Sequence, residues 1–261
     1  MKAVRRKLEM LRRHHVWLTE EQWAPLLDAT VRLCPSAPCA ELARFVAAFA
    51  ILGKPLPEML ASQTAEALEA NPGWPVSGFR GLAQLLSNLL KCHAVIGQST
   101  LDALLCKVLR LIESHGNYES VARQLQWALL CLGPEALPPR LRATIQSTKW
   151  ERVLEKVVNQ AQTKRAAADD SAVRQRALQA KLGHERQLQS CRILPVALVT
   201  HVHTIVDSQG SIEEVVMLKT EKDTYRSLET LKPLLDKPTV GFQLRAYFIE
   251  KAGYKLRVLD A

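Results

Sequence analysis

Leu42-Ala-Arg-Phe-Val-Ala-Ala-Phe-Ala-Ile-Leu-Gly53, Leu82-Ala-Gln-Leu-Leu-Ser-Asn-Leu-Leu-Lys-Cys-His93 and Ala122-Arg-Gln-Leu-Gln-Trp-Ala-Leu-Leu-Cys-Leu-Gly133 follow one another at an offset of 40 residues, twice, without a gap. Apolar residues recur at Leu42/Leu82/Ala122, Phe45/Leu85/Leu125, Phe49/Leu89/Leu129 and Leu52/Cys92/Leu132. Increments of three, four and three put these positions on one face of an α-helix. A fixed period of this length marks a helical-repeat array, in which each unit buries its apolar face on the next. Leu85, Leu89, Leu125 and Leu129 are therefore expected between adjacent units. Ala48 and Ala128 are small enough to let a neighbouring helix approach. Gly53 and Gly133 stand where a left-handed C-terminal residue belongs, with Pro55 and Pro134 soon after.

A second helix follows each of the first two segments. One runs from Pro57 through Leu68, and begins with a proline suited to a first turn. The other runs from Gln98 through Ile112, with Leu101, Leu104, Leu105, Val108, Leu109 and Ile112 on one face. Pro139 to Ile145 starts in the same way. Upstream, Thr19-Glu-Glu-Gln22 is a capping box ahead of Trp23, Leu26, Leu27 and Val31, preceded by a helix over Val4–Val16. The expected fold is mainly α. It comprises an α-solenoid of about three and a half helical hairpins over residues 1–146, a basic helical linker over 147–192 and a small α/β domain over 193–261.

The linker carries one apolar stripe, Trp150, Val153, Leu154, Val157 and Val158, and then turns polar and charged. A helix that polar is not stabilised by core burial, so it reads as a linker or as packed on a partner. At Ile193 the pattern changes. Leu194–Val206 alternates and is rich in Val, Thr and Ile; Asp207-Ser-Gln-Gly210 is a turn; Ile212–Leu218 is a second strand of a hairpin. Tyr225–Leu235 reads as helical and ends at Pro238. Gly241–Gly253 is a helix with a glycine stop, and Tyr254–Leu259 is a last strand.

The net charge of +9 sits in two blocks. Residues 1–13 hold six Lys/Arg against one acid, and residues 140–192 hold twelve against five, leaving −3 for the rest. Two blocks that exceed the whole net charge favour a polyanionic partner over ordinary solvated helix faces. The candidate phosphate contacts are Lys164, Arg165, Arg174, Arg176, Lys181 and Arg186 in the second block, and Arg5, Arg6, Arg12 and Arg13 in the first. Such contacts position a nucleic acid without reading its sequence.

Other chemistry is thin. The six cysteines form no CxxC pair, which excludes a zinc site and a disulfide framework and points to a reducing compartment. His201-x-His203 on a strand has a metal-capable spacing but no third ligand nearby, so its structural reading is favoured. Phosphate-cradling glycine loops and nucleophile elbows are missing from the sequence, so no cofactor and no small-molecule substrate is expected. No apolar stretch is long enough to span a bilayer. The Arg-rich, acid-poor N-terminus, with Val4, Leu8 and Leu11 at helical spacing, has the form of a mitochondrial transit peptide and equally that of a basic first helix.

Gln126-Trp-Ala-Leu-Leu-Cys-Leu-Gly133 resembles the octatricopeptide repeats and the related FAST-kinase-like repeats, although Ala47 and Ser87 stand in the first two units where Trp127 stands in the third. The resemblance covers residues 40–145. The β-β-α-α-β order, closing on Leu244-Arg-x-x-x-Ile-Glu-Lys-Ala-Gly-Tyr-Lys-Leu-Arg-Val258, resembles the RAP domain found C-terminal to such repeats, best over 241–259. The resemblance implies an organellar, RNA-associated protein whose C-terminal domain has a restriction-endonuclease-like fold. An endonuclease of that fold needs an Asp at one strand end and Glu-x-Lys on the next. Asp207 lies instead in the turn, Glu214 and Lys219 fall on opposite faces, Glu213 and Lys219 stand about 20 Å apart, and Glu221-Lys222 lacks the intervening residue. The expectation is a non-catalytic RNA-binding subunit of a ribonucleoprotein such as a mitochondrial ribosome, in contact with rRNA and neighbouring subunits. The alternatives are a protein–protein helical scaffold and an RNA-processing endonuclease, and for location a plastid or the cytosol.

Overall fold

The computed structural model describes residues 2–70, 88, 119–132, 139, 142–143, 148–163, 176, 178–182 and 188–260. The chain is mainly α-helical with a small sheet. The described helices are α1 (Lys2–Arg13), α2 (Glu20–Leu33), α3 (Cys39–Leu52), α4 (Glu58–Ala70), α5 (Glu119–Leu132), α6 (Thr148–Thr163) and α7 (Val240–Lys251). The helix expected over Gln98–Ile112 lies outside the described residues, as does the second repeated segment except Asn88, which is helical and buried.

Local signals act where the sequence places them. Thr19 caps α2 through the reciprocal box, its hydroxyl accepting from the Gln22 backbone N–H while the Gln22 side chain accepts from the Thr19 N–H. Gly53 ends α3 at φ +67°, ψ +30°. Along α3, Leu42, Phe45, Phe49 and Leu52 are buried, and so are Val46, Ala48 and Ala50, so the helix is enclosed on nearly all sides. Leu8 and Leu11 of α1, Trp23 and Leu26 of α2, Leu60 of α4, Leu125 and Leu129 of α5, and Trp150 and Val157 of α6 complete one continuous core with it. Ala48 lines a small cleft between α3 and α1 together with Leu8. Leu85 and Leu89 lie outside the described residues.

The C-terminal unit holds a four-stranded sheet in the order β1-β2-β3-β6, from β1 (Leu188–Ile193), β2 (Thr200–Val206), β3 (Ile212–Lys219) and β6 (Leu256–Asp260). β1, β2 and β3 run antiparallel in turn, and β3 pairs with β6 in parallel. Both faces of the sheet are covered, which is why β3 carries the unbroken apolar run Val215-Val-Met-Leu218. Val215 and Met217 meet Phe242, Phe248 and Ile249 of α7. Val216, with Leu188 and Ile205, meets Leu178 and Leu182 on the opposite side.

Three expectations are corrected. Tyr225–Leu235 is not a helix: β4 (Thr224–Arg226) and β5 (Pro233–Pro238) form a separate two-stranded sheet. Pro233 and Pro238 deny the helix their N–H groups, and tertiary bonds hold Tyr225 and Arg226 extended. Leu194–Val206 is not one strand, because Pro195, Val196 (φ +63°) and Ala197 make a turn ahead of β2. The linker is not polar throughout: β1 begins inside it, and Leu178 is fully buried beneath the sheet.

The β4–β5 hairpin reaches back to the first helices. The Arg226 N–H donates to the His15 carbonyl at 2.8 Å, and the Trp17 N–H donates to the Arg226 carbonyl at 2.9 Å. The Tyr225 hydroxyl donates to the Ile51 carbonyl at 2.8 Å and accepts from the Val240 N–H at 3.4 Å. Burial of that phenol pushes its pKa up to about 12. A β-carbon added to Gly53 would lie 2.7 Å from a Val240 methyl and 3.0 Å from the Tyr225 hydroxyl. Gly53→Ala, strained in its backbone and crowded on this seam, should cost about 1–3 kcal/mol, read as a lowered urea midpoint. Leu125→Ala in the core should cost about 2–5 kcal/mol in the same measurement.

Candidate nucleic-acid interface

The first basic block is a fixed helix. Leu8 and Leu11 anchor α1 in the core, and the helix closes in a Schellman motif: the Val16 N–H donates to the Leu11 carbonyl at 3.0 Å, and the His15 N–H to the Arg12 carbonyl at 3.2 Å. Of the four arginines expected to meet phosphate here, two are engaged within the fold. Arg5 binds Glu41 at 2.8 Å, a carboxylate shared with Arg44 at 2.7 Å, and Arg12 stands 3.7 Å from Glu9. Arg6 and Arg13 are exposed, and so are Lys2 and Lys7. None of these four is within salt-bridge distance of an acid among the described residues. Lys2, Arg6 and Arg13, spaced by four and seven, form one stripe about 17 Å long.

The second block is only partly described. Lys164, Arg165, Arg174 and Arg186 lie outside the described residues. Arg176 is exposed, and Lys181 is exposed with its ammonium donating to the Asp260 carbonyl at the end of β6. Lys181 is therefore attached to the sheet.

The acids weighed for catalysis have structural partners. Asp207 Oδ1 accepts from the backbone N–H groups of Gln209 and Ser211 at 2.9 and 2.8 Å, which shapes the β2–β3 turn. Glu214 is 2% exposed, with Arg257 of β6 on both oxygens at 2.9 and 3.2 Å and Lys255 at 3.7 Å. Lys219 binds Asp260 at 2.6 Å, and Glu213 points to solvent. His203 is buried in β2. Among the described residues, no group of three or more His, Cys, Asp or Glu is placed to hold a metal ion. Burial raises the Cys34 thiol pKa, away from the reactive thiolate.

The pairing of Glu214 with Arg257 and Lys255 escaped the sequence reading, as did the approach of Arg226 to His15. The first joins strands 43 residues apart, and the second joins the two ends of the chain. No local pattern signals either. Trp127 of α5 also faces the C-terminal unit. It stacks on Phe248 with ring centroids 5.0 Å apart and donates its indole N–H to the Ala197 carbonyl at 2.9 Å.

No protein-family model matches this chain, and no curated protein matches it. No described helix is long and apolar enough to cross a membrane.

Because Arg257 and Lys255 are partly open to water, Glu214→Ala should cost about 1–3 kcal/mol rather than the full price of a buried unpaired charge. Glu214→Gln should cost less. Equilibrium urea denaturation of the two variants measures both.

Proposed function

We propose that this chain is a non-catalytic RNA-binding protein of an organelle, a subunit of a ribonucleoprotein such as a mitochondrial ribosome. The observation that carries the reading is the α1 surface. Leu8 and Leu11 lock the helix in place, while Lys2, Arg6 and Arg13 form an outward stripe without an acid partner among the described residues. Cations held on a rigid element meet a polyanion with little loss of backbone freedom, so each contact is retained as affinity. The net charge of +9 acts in the same direction at longer range.

In this proposal the helices form a short α-solenoid of about three and a half hairpins, and the sheet unit is a RAP-like docking module. Phosphate contacts supply the affinity, and rRNA with neighbouring subunits supplies the partners. Catalysis has no part in it, because Asp207, Glu214 and Lys219 are committed to turn and strand contacts. The protein–protein scaffold stands as a second reading, favoured by exposed Leu228, Leu231 and Leu235 on the β4–β5 hairpin.

Salt separates the two. Affinity for single-stranded RNA should fall linearly on a log–log salt plot, and replacing Lys2, Arg6 and Arg13 by Ala should shallow the slope by about two. A wild-type protein that does not retain RNA at low salt would favour the scaffold.

A further inference from the structure

We infer that the cleft between α2 and the Pro55-Leu56-Pro57 segment is a docking groove for a basic amphipathic helix of a partner protein. The inference does not rest on RNA binding, because it concerns other elements of the chain and charge of the opposite sign. The cleft has a volume of about 510 Å³. One wall is the ridge of Trp23, Leu27 and Val31, spaced by four along α2, and the other is Pro55, Leu56 and Pro57. Residues four apart form the kind of ridge that a second helix packs against. From Glu20 to Arg32 the α2 wall runs about 18 Å, or about three turns of helix. A helix bound over that length presents its anchors at i, i+3 or i+4, and i+7.

The groove is set before any partner arrives. Trp23 is 2% exposed and meets Phe49 edge-on, with ring centroids 4.8 Å apart. Leu27 and Leu56 are half-buried, each packed on the core and open on its outer side. The two prolines stiffen the second wall. The buried Lys54 ammonium binds Glu20 at 2.6 Å, which ties α2 to the segment that leaves α3. Walls held in this way lose little freedom on binding.

Charge selects the occupant. Glu20 and Asp28 line the cleft, and Glu21 and Glu58 adjoin its lining residues in sequence. Against these four carboxylates stand Arg32 at the far end and Lys54, which is used on Glu20. The groove is thus locally acidic in a chain of net charge +9. Among the described residues no cation stands within salt-bridge distance of Glu21, Asp28 or Glu58. Carboxylates at an apolar groove repel nucleic-acid phosphates and attract cationic side chains. The order along α2, acid at Glu20, acid at Asp28 and base at Arg32, asks for two Lys or Arg about 12 Å apart beside the apolar stripe of the partner.

The test follows a fluorescein-labelled peptide by anisotropy against the full chain. The peptide is a designed helix of about 18 residues, long enough to be helical by itself. It carries Leu at i, i+4, i+7 and i+11, and two lysines two turns apart beside that stripe; a control peptide has Glu in both lysine positions. A chain of net charge +9 attracts the Glu peptide at long range, so a preference for the Lys peptide reports the groove. That preference should be about three- to tenfold, from two exposed ion pairs, and should narrow as salt is raised. Asp28→Lys changes an exposed side chain, so it should melt like wild type and erase the preference. Leu56→Ala should weaken both peptides alike. Absence of saturable binding of the Lys peptide, tighter binding of the Glu peptide, or an unchanged preference in Asp28→Lys would each overturn the groove. Displacement of the peptide by an oligouridylate would assign the cleft to RNA instead, and a dimer in sedimentation that excludes the peptide would assign it to a second copy of the chain.

Discussion

The bond from the Tyr225 hydroxyl to the Ile51 carbonyl joins two requirements that neither half of the chain meets alone. The last carbonyls of α3 have no partner within the helix. The Tyr225 phenol, at 1% exposure, needs an acceptor as the price of burial. One hydrogen bond satisfies both, and it forms only because Gly53 turns the chain away in a left-handed conformation and leaves no β-carbon in the path. Around it gather Trp17, tilted against Tyr225 at 5.4 Å between centroids, and the Lys54 ammonium, 5.6 Å from the Trp17 ring and 2.6 Å from Glu20.

That seam makes the helical layer and the sheet unit one body. α7 lies against Val215 and Met217 of the sheet on one side and receives Trp127 of α5 on the other. Ile193 and Leu198, from either side of the β1–β2 turn, enter the helical core. The turn is strained at Val196 and Leu198, with φ +63° and +49°, and is held by the Trp127 bond to Ala197 and the Tyr254 bond to Pro195. Strain of this kind persists where surrounding contacts over-determine the backbone.

The same packing decides which charges remain on the surface. Arg5, Lys54, Lys219, Arg245 and Arg257 pair with carboxylates of other elements and hold those elements together. Lys2, Arg6, Lys7 and Arg13 share α1 with Arg5 yet carry no acid partner among the described residues. A net charge of +9 therefore overstates the unpaired charge of some basic segments.

The sequence by itself determined the features whose cause is local. The Thr19 box, the Gly53 stop, the α6 stripe and the β2–β3 hairpin at Asp207–Gly210 each follow from neighbours within about four residues, and each is where the residues place it. Only the tertiary structure decided that Tyr225–Leu235 is a hairpin, that β1 begins at Leu188 and that Leu178 covers the second face of the sheet. Pro233 disfavours a helix there locally, but which strands pair is set by distant partners: His15 and Trp17 for Arg226, β2 for β1, and Ile51 for Tyr225. The candidate site divides in the same way. The α1 stripe is legible as a spacing of four and seven, whereas the pairing that takes Arg5 to Glu41 exists only once α1 has packed on α3.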